Sequence, residues 1–137
     1  MRIAELMNPV ETIEPEASVQ QAAERMRDLQ IGSLPVCDGD RLVGIVTDRD
    51  ITVRSTAAGT HPASCRVEQV MTPHVDYCLA DDDVQSAIDV MESKQIRRLP
   101  VLDRDHRLVG TVALGDLALT VNPKHSGQAL RKISEPG

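Results

Sequence analysis

The sequence predicts an α/β fold in which one β-α-β-β-α unit is written twice. Three observations predict it. The chain repeats itself at a nearly constant offset, each copy carries a stretch of helical periodicity beside two short aliphatic runs, and polar turn residues separate those runs. LMNPVETI at 6–13 returns as VMTPHVDY at 70–77, an offset of 64. SVQQAAERM at 18–26 returns as DVQSAIDVM at 83–91, and IGSLPV at 31–36 as IRRLPV at 96–101, both offset by 65. RLVGIVTDRDI at 41–51 returns as RLVGTVALGDL at 107–117, offset by 66. The second slip falls in the turn before RLVG, where a duplicated unit tolerates an insertion.

The elements follow in order. A short extended piece comes after a proline, Val10 to Ile13 and then Val75 to Cys78. An amphipathic helix follows. Ser18 with Gln21 three residues on has the capping-box pattern, and Asp83 is the expected cap of the second copy. Val19, Ala22, Ala23, Met26 and Leu29 recur at helical spacing, as do Val84, Ala87, Ile88 and Met91. The apolar strands Leu34 to Cys37 and Leu99 to Leu102 come next. DGD or DRDHR turns each into a second strand, Leu42 to Val46 or Leu108 to Val112, which gives a hairpin. A closing helix begins near Asp48 or Leu114; the first runs to about Ala58, with Gly59 as its stop. The expected boundaries are repeat 1 at 3–59, a linker at 60–66, repeat 2 at 67–121 and a tail at 122–137, a helix fragment at most with a loose end. A unit of roughly 55 residues buries too little surface to be secure alone. Two such units are expected to pack sheet to sheet with approximate two-fold symmetry, leaving two equivalent clefts.

Composition narrows the function classes. The only aromatic residue of the Phe, Tyr and Trp set is one tyrosine, so the core is aliphatic and stacking platforms for single-stranded nucleic acid are absent. Residues 1–67 hold 7 basic and 10 acidic side chains and residues 68–137 hold 8 and 11, so each half stands at −3 of the total −6. That balance opposes duplex binding, and there is no polybasic block. No apolar run spans a bilayer and the N-terminus lacks a secretory signal, so no membrane partner and a cytoplasmic location are expected. Cys37, Cys65 and Cys78 form no CxxC pair and no ligand-spaced cluster with His61, His74, His106 and His125. Idle thiols and idle histidines are expected, with no metal. Met7, Met26, Met71 and Met91 read as core. No nucleophile elbow or glycine-rich phosphate loop is present, so no enzyme is expected. Asp48 and Asp50 have the look of an acid–base pair, but a helix start already explains both.

GIVTDRDI is the most informative stretch. Thr47 and Asp50 have capping-box spacing, and they equally have the spacing of two groups that hold a polar ligand. An ionised Asp50 accepts two hydrogen bonds from a vicinal diol, and Thr47 offers a donor and an acceptor on a stiff stem. Arg49 adds a planar donor fork, and free N–H groups at a helix start favour phosphate. The second copy keeps Asp116 but has Ala113 for the threonine and Gly115 for the arginine, so the first copy is expected to bind better. Arg97 and Arg98 stand where the first copy has Gly32 and Ser33; they are either solvated surface cations or a phosphate clamp.

LMNP and VMTP, SLPV and RLPV, and above all GIVTDRDI with its echo GTVALGDL resemble a tandem pair of CBS domains, the cystathionine-β-synthase-type regulatory module, over roughly residues 3 to 121. Within that family the chain is similar to small stand-alone bacterial pairs of the hypoxia- and stress-response type. The resemblance implies a regulatory module whose clefts take adenine nucleotides of the AMP, ADP or ATP type, sometimes NAD-type ligands or S-adenosylmethionine. It implies ribose contacts from Thr47 and Asp50, a phosphate contact from Arg49, and an adenine pocket at Ile13, Leu34 and Pro35; the residues themselves add Arg97 and Arg98 as the phosphate-clamp alternative and a weaker second site at Asp116 and Pro100. It makes Gly44 a tight-packing glycine. It also implies a homodimer acting on an unidentified regulated partner, with the nucleotide as regulatory ligand and no resident cofactor. Two other readings stand beside it: a ligand-free structural or interaction protein that dimerises in a stress response, and a redox or metal sensor using the cysteines.

Overall fold

In the computed structural model, which describes residues 1–120, the capping box expected at Ser18 opens the first helix. The Ser18 hydroxyl accepts from the Gln21 N–H at 3.1 Å, and the Gln21 side chain accepts from the Ser18 N–H at 2.9 Å. The helix α1, Val19–Leu29, ends at Gln30 in the left-handed region. Strands β1, Ser33–Asp38, and β2, Arg41–Thr47, form an antiparallel hairpin around a turn in which Gly39 takes a φ of 64°. A short helix α2, Asp48–Asp50, runs directly into a π-helical segment, Ile51–Thr56, and Gly59 at φ 76° follows as the expected stop. Helix α3 is Val67–Val70.

The second copy repeats this order with β3, Cys78–Leu79, α4, Val84–Lys94, β4, Arg98–Leu102, β5, Leu108–Ala113, and α5, Leu114–Ala118. Its α4 also ends on a left-handed glutamine, Gln95, and its longer turn places His106 at φ 62°. The Asp103 carboxylate braces that turn by accepting from the N–H groups of Asp105 and Arg107 at 2.9 and 3.0 Å. Asp83 departs from expectation. It sits at the N-cap of α4 but makes no side-chain cap bond; its carboxylate lies 3.8 Å from the Met1 ammonium. The opening extended pieces are also shorter than expected, because few of their backbone groups pair. Ile13 makes only an isolated parallel bridge to Val36, and β3 is a two-residue strand parallel to β4.

The chain divides into two compact units, Glu11–Val75 and Met1–Val10 with the chain from Asp76 onward. The repeats have therefore exchanged their leading segments. In the Glu11–Val75 unit, Thr72 of VMTP bridges Ile45 on β2, with N–H···O distances of 2.8 and 2.9 Å. In the other unit, Asn8 of LMNP bridges Thr111 on β5 at 2.8 and 2.9 Å. A glycine admits each leader. A Cβ on Gly44 would lie 2.7 Å from the Met71 sulfur and 2.9 Å from the Thr72 carbonyl oxygen. A Cβ on Gly110 would lie 2.9 Å from the Asn8 carbonyl oxygen and 3.0 Å from the Met7 sulfur. The tail expected at 122–137, and His125 within it, lie outside the described residues.

Each unit has its own aliphatic core. Ile13, Val19, Leu34, Val36, Val46 and Val67 form one, and Ile3, Ile88, Met91, Leu99, Val112 and Leu117 belong to the other. Met26 and Met91 are buried in these clusters, and Met7 and Met71 pack against them. Gly115, in contrast with Gly44 and Gly110, faces open space on α5. Gly115→Ala is therefore expected to stabilise the protein by about 0.5–1 kcal/mol through helix propensity alone, measured as a rise in the urea midpoint.

Candidate functional site

Strand β2 delivers Thr47 to the start of α2, and the polypeptide closes on itself there. Thr47 is extended, at φ −115° and ψ 163°, so its side chain points along the incoming helix turn. Its hydroxyl oxygen accepts from the Asp50 N–H at 3.0 Å, and Asp50 Oδ2 accepts from the Thr47 N–H at 3.0 Å. The capping box is complete. Asp50 is only 8% exposed, an unusual position for an acid. Its Oδ1 accepts from the Thr72 hydroxyl at 3.4 Å and lies 4.0 Å from the Arg54 Nε. A carboxylate has about four lone-pair sites, so these partners leave acceptor capacity in the buried acid.

The free N–H groups expected at this helix start are already engaged. The Asp48 N–H donates to the Gly32 carbonyl at 3.0 Å, the Arg49 N–H to Asp48 Oδ1 at 2.8 Å, and the Asp50 N–H to Thr47. A phosphate seat on bare backbone is therefore not offered. Arg49 is the available cation: it is exposed, and its guanidinium makes no hydrogen bond or ion pair among the described residues. The assignment of Asp48 as an acid–base partner gains nothing, since Asp48 is exposed and bonded to the backbone of its own turn.

The other expected site residues divide. Ile13 and Leu34, at 3% and 0% exposure, belong to the core of the Glu11–Val75 unit, and Pro35 on β1 is half-buried. Arg97 and Arg98 belong to the unit that contains β4, and both are exposed. At the second-copy motif, Ala113 caps nothing, Pro100 is buried, and Asp116 is exposed with its Oδ2 accepting from the Asn8 amide at 3.1 Å. Thr72 and Asn8 thus do the same work in the two units: the leader residue after the methionine bonds the acid of the helix start. Sequence reasoning passed over both, because the contacts join residues 22 and 108 positions apart. It also passed over Arg54, whose i,i+4 spacing from Asp50 was a legible signal.

A groove of about 730 Å³ lies elsewhere in the Glu11–Val75 unit, between residues 11–17 and α1, and it contains neither Thr47 nor Asp50. The three cysteines are free and buried. Burial, assisted by Asp40, pushes the Cys37 thiol up to about 11, and burial with Asp82 pushes Cys78 up to about 12. Both are neutral at pH 7 and poor nucleophiles. Their contribution to stability is present below the ordinary thiol value and is lost as pH rises through 9 to about 11 and 12. Urea midpoints are therefore expected to fall between those values and to fall less in Cys37→Ala/Cys78→Ala, and thiol reagents are expected to label the native protein only on unfolding. Among the described residues, no group of three or more His, Cys, Asp and Glu is placed to hold a metal ion. No helix among them is long and apolar enough to cross a membrane.

Duplicated β-α-β-β-α units, each with a leader seated on a glycine and an acid at its closing helix, define a paired CBS module, and the chain belongs to the CBS domain family, whose model matches residues 3–55 and 67–122. Hypoxic response protein 1 of Mycobacterium tuberculosis is 40% identical over 117 residues, 84% of this chain and 80% of that protein. A crystal structure of hypoxic response protein I with two coordinated zinc ions matches with a TM-score of 0.77 at 36% identity, covering 88% of this chain and 99% of that one. CBSX2 of Arabidopsis thaliana, in its crystal structure with AMP, matches with a TM-score of 0.72 at 26% identity, covering 87% of this chain and 94% of that one.

Proposed function

We propose that this chain is a regulatory, non-catalytic module that senses adenine nucleotides of the AMP, ADP or ATP type through Thr47 and Asp50. The observation that carries the reading is the nearly buried Asp50 carboxylate, held by Thr47 and Thr72 with lone pairs to spare. A ribose diol supplies two donors to such an acceptor, and charge-assisted bonds of that kind are the strong ones. Arg49 is the exposed cation beside it for phosphate, and half-buried Pro35 belongs to the expected adenine pocket. The AMP complex of the similar CBSX2 supports the ligand class. Asp116 and Pro100 form the weaker counterpart, since the second motif lacks both the threonine and the arginine. Whether Arg97 and Arg98 serve phosphate is tested by their own alanine variants.

The module signals by changing conformation or self-association, as a homodimer in a stress-response setting like that named for hypoxic response protein 1. A ligand drives such a change only if it binds one arrangement more tightly than the other. Calorimetry with AMP, ADP, ATP, NAD and S-adenosylmethionine tests the reading on wild type and Thr47→Ala/Asp50→Ala; absence of heat for all five on wild type rejects it. Sedimentation with and without ligand tests the dimer, and a monomer throughout rejects that part.

The capping box, complete without any ligand, favours a second reading: an interaction protein in which Thr47 and Asp50 only hold the turn. Ligand at a hundred times its Kd raises stability by about 2.7 kcal/mol under the first reading and by nothing under the second.

A further inference from the structure

Arg54 makes contacts that neither capping nor ligand binding at Thr47 requires. Its Nη1 donates to the carbonyls of Val70 and Met71 at 3.3 and 3.2 Å, and its Nε lies 4.0 Å from Asp50 Oδ1. Those carbonyls close α3 and open the leader, whose next residue, Thr72, bonds both Ile45 and Asp50. One guanidinium thus touches the site acid and the segment by which the chain leaves this unit at Val75. At the matching position the second copy has Thr120, whose hydroxyl donates to the Leu117 carbonyl at 2.8 Å.

We propose that Arg54 is a positioning residue that couples the state of Asp50 to the order of the Val70–Thr72 leader, and so carries a signal from the site to the exit of the unit. The planar fork is suited to this role because it serves several acceptors at once in fixed geometry. A ligand-engaged Asp50 changes the field on the guanidinium, and the guanidinium's grip on two backbone carbonyls changes with it. The leader is bridged to β2 by the Thr72–Ile45 pair alone, so loosening it changes a local opening equilibrium without unfolding the unit. The regulatory part of this proposal rests on nucleotide binding at Asp50; the coupling itself does not.

Amide exchange by NMR on the full chain reads it. Arg54→Met keeps the aliphatic stem and removes every donor. It is expected to speed exchange of the Thr72 amide at least about tenfold and leave the Asn8 amide of the other leader within about twofold. Asp50→Asn is expected to speed Thr72 exchange in the wild-type background and to add less in Arg54→Met, where only its direct contact with Thr72 is left to act. Arg54→Lys, which keeps the charge without the fork, serves if the methionine variant folds poorly and is expected to lie between the two. Unchanged Thr72 exchange in Arg54→Met, or additive effects of the two substitutions, overturns the coupling. Added AMP is expected to slow Thr72 exchange in wild type and not in Arg54→Met. If AMP, ADP and ATP bind wild type without altering Thr72 exchange, the signalling role falls. If they do not bind at all, the nucleotide reading falls as well, and the double-substitution cycle alone still decides the coupling.

Discussion

Gly44→Val is expected to destabilise the Glu11–Val75 unit by about 3 kcal/mol, at the upper end of the usual cost of overpacking. Gly44 is buried on β2, and its backbone is ordinary strand, so conformational freedom is not what requires the glycine. Space requires it. The first added carbon meets the Thr72 carbonyl oxygen at 2.9 Å, and that oxygen is held by the Ile45 N–H at 2.9 Å. The Met71 sulfur, 2.7 Å from the same point, sits on a flexible side chain and can move; the carbonyl moves only by breaking the bridge. Branching at valine adds two more methyls to the same crowded place. Urea unfolding gives the size of the effect, and loss of amide protection at Ile45 and Thr72 assigns it to the leader. A Gly44→Val protein with the wild-type midpoint and wild-type protection would show that the leader is not seated on β2 in solution.

The second large effect is on binding. Asp50→Asn is expected to weaken binding of AMP or its relatives about a hundredfold at a cost of only about 1 kcal/mol in stability. A hydrogen bond to a charged partner contributes about 1.5–3 kcal/mol. Under the proposed reading, neutralising an acid that would take two such bonds from a diol removes about 3 kcal/mol, which is about a hundredfold in Kd. The asparagine carbonyl still accepts from the Thr47 N–H, so most of the cap survives. Thr47→Val removes the hydroxyl that receives the Asp50 N–H and is expected to cost about 1 kcal/mol of helix capping together with its share of the affinity. At exposed Asp116 the same Asp→Asn change is expected to alter affinity less than about threefold, since that motif lacks the threonine. Calorimetry and urea midpoints measured on the same preparations separate the two roles. A variant that loses stability and binding in fixed proportion would mark Asp50 as a cap alone.

Much of this was legible in the chain itself because the signals are local. Ser18 and Gln21 are three residues apart and make the box their spacing announces, and so do Thr47 and Asp50. The helical periodicity of Val19, Ala22 and Met26 is the buried face of α1, and Val84, Ala87, Ile88 and Met91 are that of α4. Local spacing placed Asp83 at the N-cap of α4 but not its bonding, since its side chain makes no cap hydrogen bond. It misled at the helix start after Thr47. The N–H groups that the spacing leaves free there are taken by the Gly32 carbonyl and the Asp48 side chain. The burial of Ile13 and Leu34 in the core of their unit is likewise set by neighbours distant in the chain.

The sequence alone determined the duplication, the α/β class, the family and the acid at each closing helix, because periodicity and short-range spacing follow directly from the geometry of helices and strands. Tertiary structure decided which leader belongs to which unit and what each acid touches. Those outcomes depend on the Thr72–Asp50 and Asn8–Asp116 contacts, across 22 and 108 residues, and on two glycines small enough to let a backbone pass. No local pattern encodes a contact of that range. The complementarity of a missing Cβ with an arriving carbonyl exists only once both segments are folded into place.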